Sequence, residues 1–166
     1  LKIFRLTSLI SSLMILNTND EMEENQLSFL QIATNYTKII HEIEGSSASR
    51  VKPFQNLLFF MRDWTHLNAF PYGHASGQKY IKEFFESVAD EYEEFEEQSP
   101  VLNDIREGIY QTFENVSGFL MPRPNSIIAD DHFNGNWGEL NEEFVSNMKD
   151  VIELMMTPEN LKEKTI

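Results

Sequence analysis

No cysteine occurs among the 166 residues of this chain, which excludes disulfide bonds, thiolate zinc sites and cysteine nucleophiles. Positive charge is also scarce: the chain has 13 Lys and Arg residues and 27 Asp and Glu residues, which gives a net charge of -14. Affinity for nucleic acid and attraction to anionic lipid both depend on Lys and Arg. The composition therefore argues against binding to nucleic acid or to an anionic membrane surface. No apolar run reaches the roughly 18 residues that cross a bilayer.

Several motifs of enzyme sites are also missing. There is no G-x-x-x-x-G-K-[ST] phosphate loop, no D-x-x-G segment and no G-x-S-x-G nucleophile elbow. His66, His74 and the group Asp130–His132 lack the close helical spacing of a zinc site such as H-E-x-x-H. The carboxylates of Glu86–Glu97 share one solvated helix face, which is typical of surface charge rather than of a catalytic pair. We therefore expect neither a catalytic residue nor a metal site within this chain.

The beginning of the chain offers a secreted domain as one alternative. Lys2 and Arg5 precede an apolar stretch, as in a signal peptide, and Asn35 and Asn115 begin N-x-[ST] glycosylation sequons. Against this alternative, hydroxyl residues interrupt the apolar stretch and no small-x-small cleavage site follows before Asn17. The pattern therefore favours a protein that is not secreted.

Short apolar segments alternate with longer amphipathic segments along the chain. Short apolar runs bounded by turn formers predict buried strands, and apolar residues recurring at about every 3.6 positions predict helices. The resulting order, α-β-α-β-α-α-β-α, is typical of an α/β three-layer sandwich, with parallel strands and helices on both faces of the sheet. The predicted strands are Leu13–Leu16, Asn56–Met61 and Val116–Met121, and the predicted helices are Leu1–Ser12 (the last part of a helix), Glu21–Glu42, Gly77–Glu97, Val101–Glu114 and Leu140–Met156.

The apolar run Leu57–Met61 stops at Arg62-Asp63-Trp64. Ligands of open α/β sheets bind beyond the carboxyl ends of the strands, so Asp63 is placed where a carboxylate can bind a ligand. One carboxylate can accept charge-assisted hydrogen bonds from both N1–H and the N2 amino group of guanine. Adenine has an acceptor at N1 and no amino group at C2, so it would leave the carboxylate unpaired. Asp63 is therefore a candidate guanine-binding residue, although the same pattern also fits an aspartate that caps a helix.

A second loop, Pro122-Arg123-Pro124, follows the next strand, which the prolines prevent from continuing. Crossover connections are right-handed, so both loops are expected on the same edge of the sheet and could line one pocket. Arg62 would lay its planar guanidinium against a purine face or fix the loop, and the prolines would form a rigid wall. The alternative is that both loops are ordinary strand connections.

The most specific pattern in the sequence is VKPFQNLLFFMRDW at Val51–Trp64, followed by FPYG at Phe70–Gly73. Together with other segments in matching order, this pattern closely resembles the GTPase domain of the atlastins. These proteins belong to the dynamin-related group that includes the guanylate-binding proteins and the root-hair-defective-type proteins. The resemblance covers nearly the whole chain, and its other segments are Glu24–Gln31, Phe113–Pro124, Phe133–Gly135 with Leu140, Glu143 and Phe144, and Thr157–Leu161.

The resemblance assigns roles to the two loops. In that family an Arg-Asp pair recognises guanine, so the resemblance implies that Arg62 and Asp63 bind the base of GTP or GDP. The family's proline-rich loop lies near the base and ribose, which makes Pro122, Arg123 and Pro124 further candidates. This chain departs from the family pattern in having Arg123 where relatives often have His.

The resemblance also implies which parts of the GTPase domain this chain contains. The family's P-loop, switch I threonine and D-x-x-G precede the matched region, and they carry the Mg²⁺ ligands and the machinery of phosphoryl transfer. We therefore expect residues 1–166 to form one partial GTPase (G) domain, the second half of a P-loop NTPase type of fold. Residues from about 157 to 166 would lead toward a helical middle domain. The chain alone is expected to recognise guanine without hydrolysing GTP.

For the full-length protein, the resemblance implies GTP hydrolysis with Mg²⁺, a homodimer formed through the G domains, and membrane fusion at the cytosolic face of the endoplasmic reticulum. Membrane attachment would come through C-terminal segments absent from this chain. The alternative is a non-enzymatic, degenerate G domain that binds a protein partner. A G-x-x-x-x-G-K-[ST] motif encoded upstream of Leu1 would favour the enzyme, whereas an initiator Met without that motif would favour the interaction protein.

Overall fold

The computed structural model describes residues 10–22, 52, 54–91, 105, 108–161 and 163. This part of the chain contains three strands and two longer helices, one between the second and third strands and one after the third strand, and residues 108–112, just before the third strand, are also helical. Two short 3-10 turns connect the third strand to the last helix. The elements are β1 (Leu13–Asn19), β2 (Phe54–Arg62), α1 (His74–Glu91), β3 (Phe113–Leu120), the 3-10 turns Ser126–Ala129 and Trp137–Glu139, and α2 (Glu142–Met155).

The three strands form one parallel sheet in the order β1-β2-β3. The central strand β2 contains the long apolar run of the sequence, and its residues Leu57, Leu58, Phe59 and Met61 are almost fully buried. A continuous apolar run is typical of a parallel strand that is covered on both faces. The position of β2 in the sheet therefore follows from its composition.

Alternation along β2 divides the core into two layers. Leu57, Phe59 and Met61 pack on one face with Ile81 and Phe85 of α1, because successive side chains of a strand point to opposite faces. On the other face, Leu58 packs with Phe119 of β3, with Met121 directly after β3 and with Val151 of α2. The described residues therefore form an α/β three-layer arrangement with helices on both faces of a parallel sheet, as predicted.

Several predicted boundaries differ from those in the structure, including the start of β2 at Phe54 rather than Asn56 and the start of β3 at Phe113 rather than Val116. Two of the differences place residues in another type of element. The first strand was expected to end at Leu16, but β1 continues to Asn19, because Asn17, Thr18 and Asn19 pair with the last residues of β2. The helix expected to reach Glu114 ends earlier, since β3 already begins at Phe113. In both cases backbone pairing with a neighbouring strand outweighs the local preference of the residues.

Two other predicted helices, Leu1–Ser12 and Glu21–Glu42, lie almost entirely outside the described residues. The helix predicted over Gly77–Glu97 begins earlier, at His74, and is described as far as Glu91. Among the helices that the structure describes, none is long and apolar enough to span a bilayer.

Candidate functional site

The carboxyl ends of the three strands meet at one edge of the sheet, and backbone hydrogen bonds join the loops that follow them. The Trp64 N–H donates to the Met121 carbonyl oxygen (3.0 Å), and the Met121 N–H donates to the Met61 carbonyl oxygen (2.8 Å). On the other side, the Asp20 N–H donates to the Arg62 carbonyl oxygen (2.7 Å). The structure therefore brings the Arg62–Trp64 loop next to the residue that precedes Pro122.

Asp63 lies at the centre of this edge. Its backbone φ is 57°, a left-handed conformation that Asp and Asn adopt more readily than other residues with side chains. The residue is half-buried, and no other described residue forms a hydrogen bond or an ion pair with its carboxylate. A half-buried carboxylate without donors from the described residues has its acceptor capacity free for a ligand.

Arg62 is exposed and turned toward β1. Its Nε donates to the Oδ1 atom of Asn17 at 2.6 Å, a contact that joins the ends of β1 and β2. Of the two roles considered for Arg62, contact with a purine face or fixing of the loop, this hydrogen bond corresponds to the second.

Trp64 anchors the loop in the core. The side chain is 2% exposed, and its Nε1–H donates to the Phe70 carbonyl oxygen at 2.9 Å. The indole ring meets the Tyr80 ring of α1 edge-on, with 4.8 Å between the ring centroids. A buried indole with a satisfied N–H is held firmly. Asp63 therefore lies between Arg62, which is hydrogen-bonded to Asn17, and Trp64, which is fixed in the core.

In the proline loop, Pro122 is buried, Arg123 is exposed and Pro124 is half-buried. The Asn141 side chain holds this loop: its Oδ1 accepts from the Asn125 N–H (3.1 Å) and its Nδ2 donates to the Arg123 carbonyl oxygen (3.4 Å). Asn141 was not among the residues predicted for this site; it lies at the N-cap position of α2, but its side chain makes no capping hydrogen bond to its own helix. An Asn before the acidic pair Glu142-Glu143 indicates a helix start and gives no sign of a contact with a distant loop.

Of the other candidates, Asp130 has a local partner, since its carboxylate accepts from the His132 N–H within one exposed turn (2.8 Å). His74, at the start of α1, is half-buried, and burial lowers the pKa of its imidazole below the ordinary value. Within the described part of the chain, no group of three or more His, Asp or Glu side chains could hold a metal ion.

A guanine base fits the chemistry of this edge. Its N1–H and N2 amino group are two donors, and the Asp63 carboxylate offers two acceptor oxygens that receive no hydrogen bond from the described residues. The chemistry of the described residues at this edge therefore suits recognition of a base with two adjacent donors.

Comparisons with known proteins identify a family and several relatives that this chain is similar to. Residues 1–165 match the family described as guanylate-binding protein, N-terminal domain. Atlastin-1 from Pongo abelii is 32% identical over 165 residues, which cover 99% of this chain and 27% of that protein. Atlastin-2 from Xenopus laevis is 30% identical and atlastin-2 from Homo sapiens 29% identical, each again over 99% of this chain and covering 27% and 26% of those proteins. The chain spans about a quarter of the length of these curated relatives.

Proposed function

This chain belongs to the guanylate-binding protein N-terminal domain family, and we propose that it is the guanine-recognising half of that GTPase domain. Asp63 accepts the two donors of the base, and Arg62 fixes the loop that carries it. Pro122, Arg123 and Pro124 form the neighbouring wall near the base and ribose. The observation that carries the proposal is the half-buried Asp63 carboxylate at the carboxyl end of the central strand.

Discrimination between purines follows from the cost of leaving Asp63 unpaired. Guanine satisfies both carboxylate oxygens, whereas adenine presents an acceptor at N1 and no amino group at C2. A buried or half-buried carboxylate that faces another acceptor loses its hydrogen bonds to water without gaining new ones, which costs binding free energy. This cost weakens the binding of adenine. A site built around a hydrogen-bonding group discriminates in this way more strongly than an apolar pocket.

Hydrolysis of GTP depends on groups that bind its phosphates, in addition to groups that bind its base. The printed sequence contains no G-x-x-x-x-G-K-[ST] motif, so the polypeptide has no recognisable group to cradle the β- and γ-phosphates. We therefore propose that residues 1–166, as the second half of the domain, bind the base and do not hydrolyse GTP.

For the full-length protein we propose GTP hydrolysis with Mg²⁺, pairing of two copies through their G domains, and fusion of endoplasmic reticulum membranes from the cytosolic face. Residues from about 157 to 166 would lead toward the helical middle domain. Family membership and the names of the atlastin relatives support this proposal.

Three mononucleotides test base recognition, with binding followed by NMR chemical-shift titration because affinities are expected to be weak without a phosphate cradle. GMP carries both donors, IMP keeps N1–H but lacks the N2 amino group, and AMP has neither. We expect the affinity order GMP, then IMP, then AMP. The substitution Asp63→Asn keeps the side-chain shape and the tolerance for positive φ, but it replaces one acceptor by a donor. It should weaken GMP binding by about tenfold or more.

The control is Asp150→Asn, which changes an exposed aspartate on α2 and should leave GMP binding unaltered. Equal responses of the unsubstituted chain to GMP and AMP would contradict the proposal and favour the non-enzymatic interaction module. The same conclusion would follow if Asp63→Asn bound GMP as well as the unsubstituted chain.

A further inference from the structure

Asp20 and Asp63 share an unusual backbone conformation. Asp20 follows β1 and has a φ of 53°, and Asp63 follows β2 with a φ of 57°. Among the described residues, no other residue with a side chain has a positive φ. A left-handed conformation costs a residue with a Cβ about 1 kcal/mol or more, and such a cost is typically met where surrounding contacts fix the backbone.

Asp20 supplies contacts on both sides of Asp63. Its N–H donates to the carbonyl oxygen of Arg62, the residue before Asp63 (2.7 Å). Its Oδ1 accepts from the backbone N–H of Thr65, two residues after Asp63 (3.1 Å). The Thr65 hydroxyl also donates to the Asp20 carboxylate, with distances of 3.2 Å to Oδ1 and 3.1 Å to Oδ2. One residue at the end of β1 therefore holds the chain before and after the candidate guanine-binding residue.

The His66 side chain adds contacts beside Asp20. The His66 Nε2 lies 3.2 Å from the Glu21 Oε1 atom and 3.8 Å from the Asp20 Oδ2 atom. The Asp20 carboxylate is partly exposed, so its hydrogen bonds to Thr65 are made at the rim of the sheet edge and not in the core. Packing alone, provided by the buried Trp64, would fix the depth of the loop but would leave rotation about the Asp63 backbone less restricted.

We propose that Asp20 is a positioning residue for guanine selection: it orients the Arg62–Thr65 segment so that both carboxylate oxygens of Asp63 meet the two donors of the base. This inference rests on the proposed function. A bidentate contact requires the carboxylate plane to align with the base edge, and a small rotation of the loop breaks one of the two hydrogen bonds. A single hydrogen bond to N1–H tolerates that rotation better.

Selectivity between GMP and IMP therefore reports the alignment, since the two ligands differ only in the N2 amino group. The first variant is Asp20→Gly, which removes the carboxylate and adopts the positive φ without a steric cost. The matched variant is Asp20→Asn, which keeps the Oδ1 acceptor for Thr65 and also tolerates this conformation. Both variants retain the backbone N–H that binds the Arg62 carbonyl oxygen.

The ratio of GMP to IMP affinity is measured by NMR titration on the 166-residue chain. We expect Asp20→Gly to lower this ratio about fivefold and Asp20→Asn to keep it within about twofold. An unsubstituted chain that prefers GMP, combined with an unchanged ratio in Asp20→Gly or an equal loss in both variants, overturns this inference and leaves the proposed function intact. An unsubstituted chain without any preference for GMP overturns both.

A purely structural role for Asp20 would lower the thermal stability of the Asp20→Gly variant without changing the ratio, so the melting temperature is recorded in parallel. If Asp20→Gly does not fold, Thr65→Val decides the matter. That substitution keeps the volume and the backbone N–H of the residue but removes the hydroxyl. It should lower the ratio about threefold, and a ratio within the twofold range expected of Asp20→Asn would overturn the inference.

Discussion

Gly77 of α1 and Gly118 of β3 are in backbone-to-backbone contact. A Cβ atom built on Gly77 would lie 2.5 Å from the Gly118 carbonyl carbon and oxygen, and one built on Gly118 would collide with the Gly77 carbonyl oxygen. The absence of both side chains lets the helix approach the sheet closely. The same helix carries Tyr80, whose ring packs against Trp64 of the Arg62–Trp64 loop, so this contact helps to set the position of the loop.

Substitution of either glycine by alanine should destabilise the protein. A helical Gly→Ala change alone would stabilise α1 by about 1 kcal/mol, but here the added methyl group collides with backbone atoms that have little room to move. We expect a net loss of about 2–3 kcal/mol in the free energy of unfolding, which urea denaturation would measure. Gly138→Ala is the control, because the atom nearest to its added Cβ would be the Asn136 Oδ1 atom, at an ordinary contact distance of 3.4 Å. A Gly77→Ala variant as stable as the control would contradict the close contact.

Asn141→Ala should loosen the proline loop. The change removes the acceptor for the Asn125 N–H and the donor to the Arg123 carbonyl oxygen, and each such hydrogen bond contributes about 1 kcal/mol. The Asn125 amide should exchange with deuterium about fivefold faster. Asn147→Ala, which removes a contact within α2, should leave that exchange rate unchanged. Equal rates in both variants would mean that Asn141 does not hold the loop.

Acid should destabilise the protein through His74. Burial lowers the pKa of His74 in the folded protein below its ordinary value of 6.5, so the unfolded chain takes up the proton first as the pH falls. The stabilisation from this group is complete above about pH 6.5 and decreases as the pH falls through that value toward the lower folded pKa. His74→Gln cannot take up this proton, and its melting temperature should drop less between about pH 7.5 and pH 5.5.

The exposed His132 provides a matched control. His132→Gln should show the same pH-dependent drop in melting temperature as the unsubstituted chain. If His74→Gln and His132→Gln behaved alike, burial of His74 would not contribute to acid sensitivity.

The 166-residue chain should release no phosphate from GTP in the presence of Mg²⁺, because its sequence contains no phosphate-cradling motif. A malachite green assay over several hours would detect slow turnover. Phosphate release that disappears in Asp63→Asn would refute this prediction, since it would require hydrolysis at the guanine site of this polypeptide itself.

Much of the sheet could be predicted from local patterns. The run Leu57–Met61 predicted a buried parallel strand because it is apolar without alternation, and β2 is the central strand. The end of β1 could not be predicted in this way. Asn17, Thr18 and Asn19 are turn formers by composition, but pairing with β2 holds them in the strand, and such pairing depends on residues more than forty positions away.

The sequence by itself determined the α/β class, the central strand and the location of Arg62 and Asp63 at its end, because these features follow from local hydrophobicity and from where an apolar run stops. Only the tertiary structure decided which groups surround Asp63. Asp20 meets Thr65 across 45 positions of the chain, and Asn141 reaches Asn125 across 16. Both side chains look like ordinary turn or cap residues in the sequence, because the hydrogen bonds that distinguish them form only when the sheet brings separate loops together.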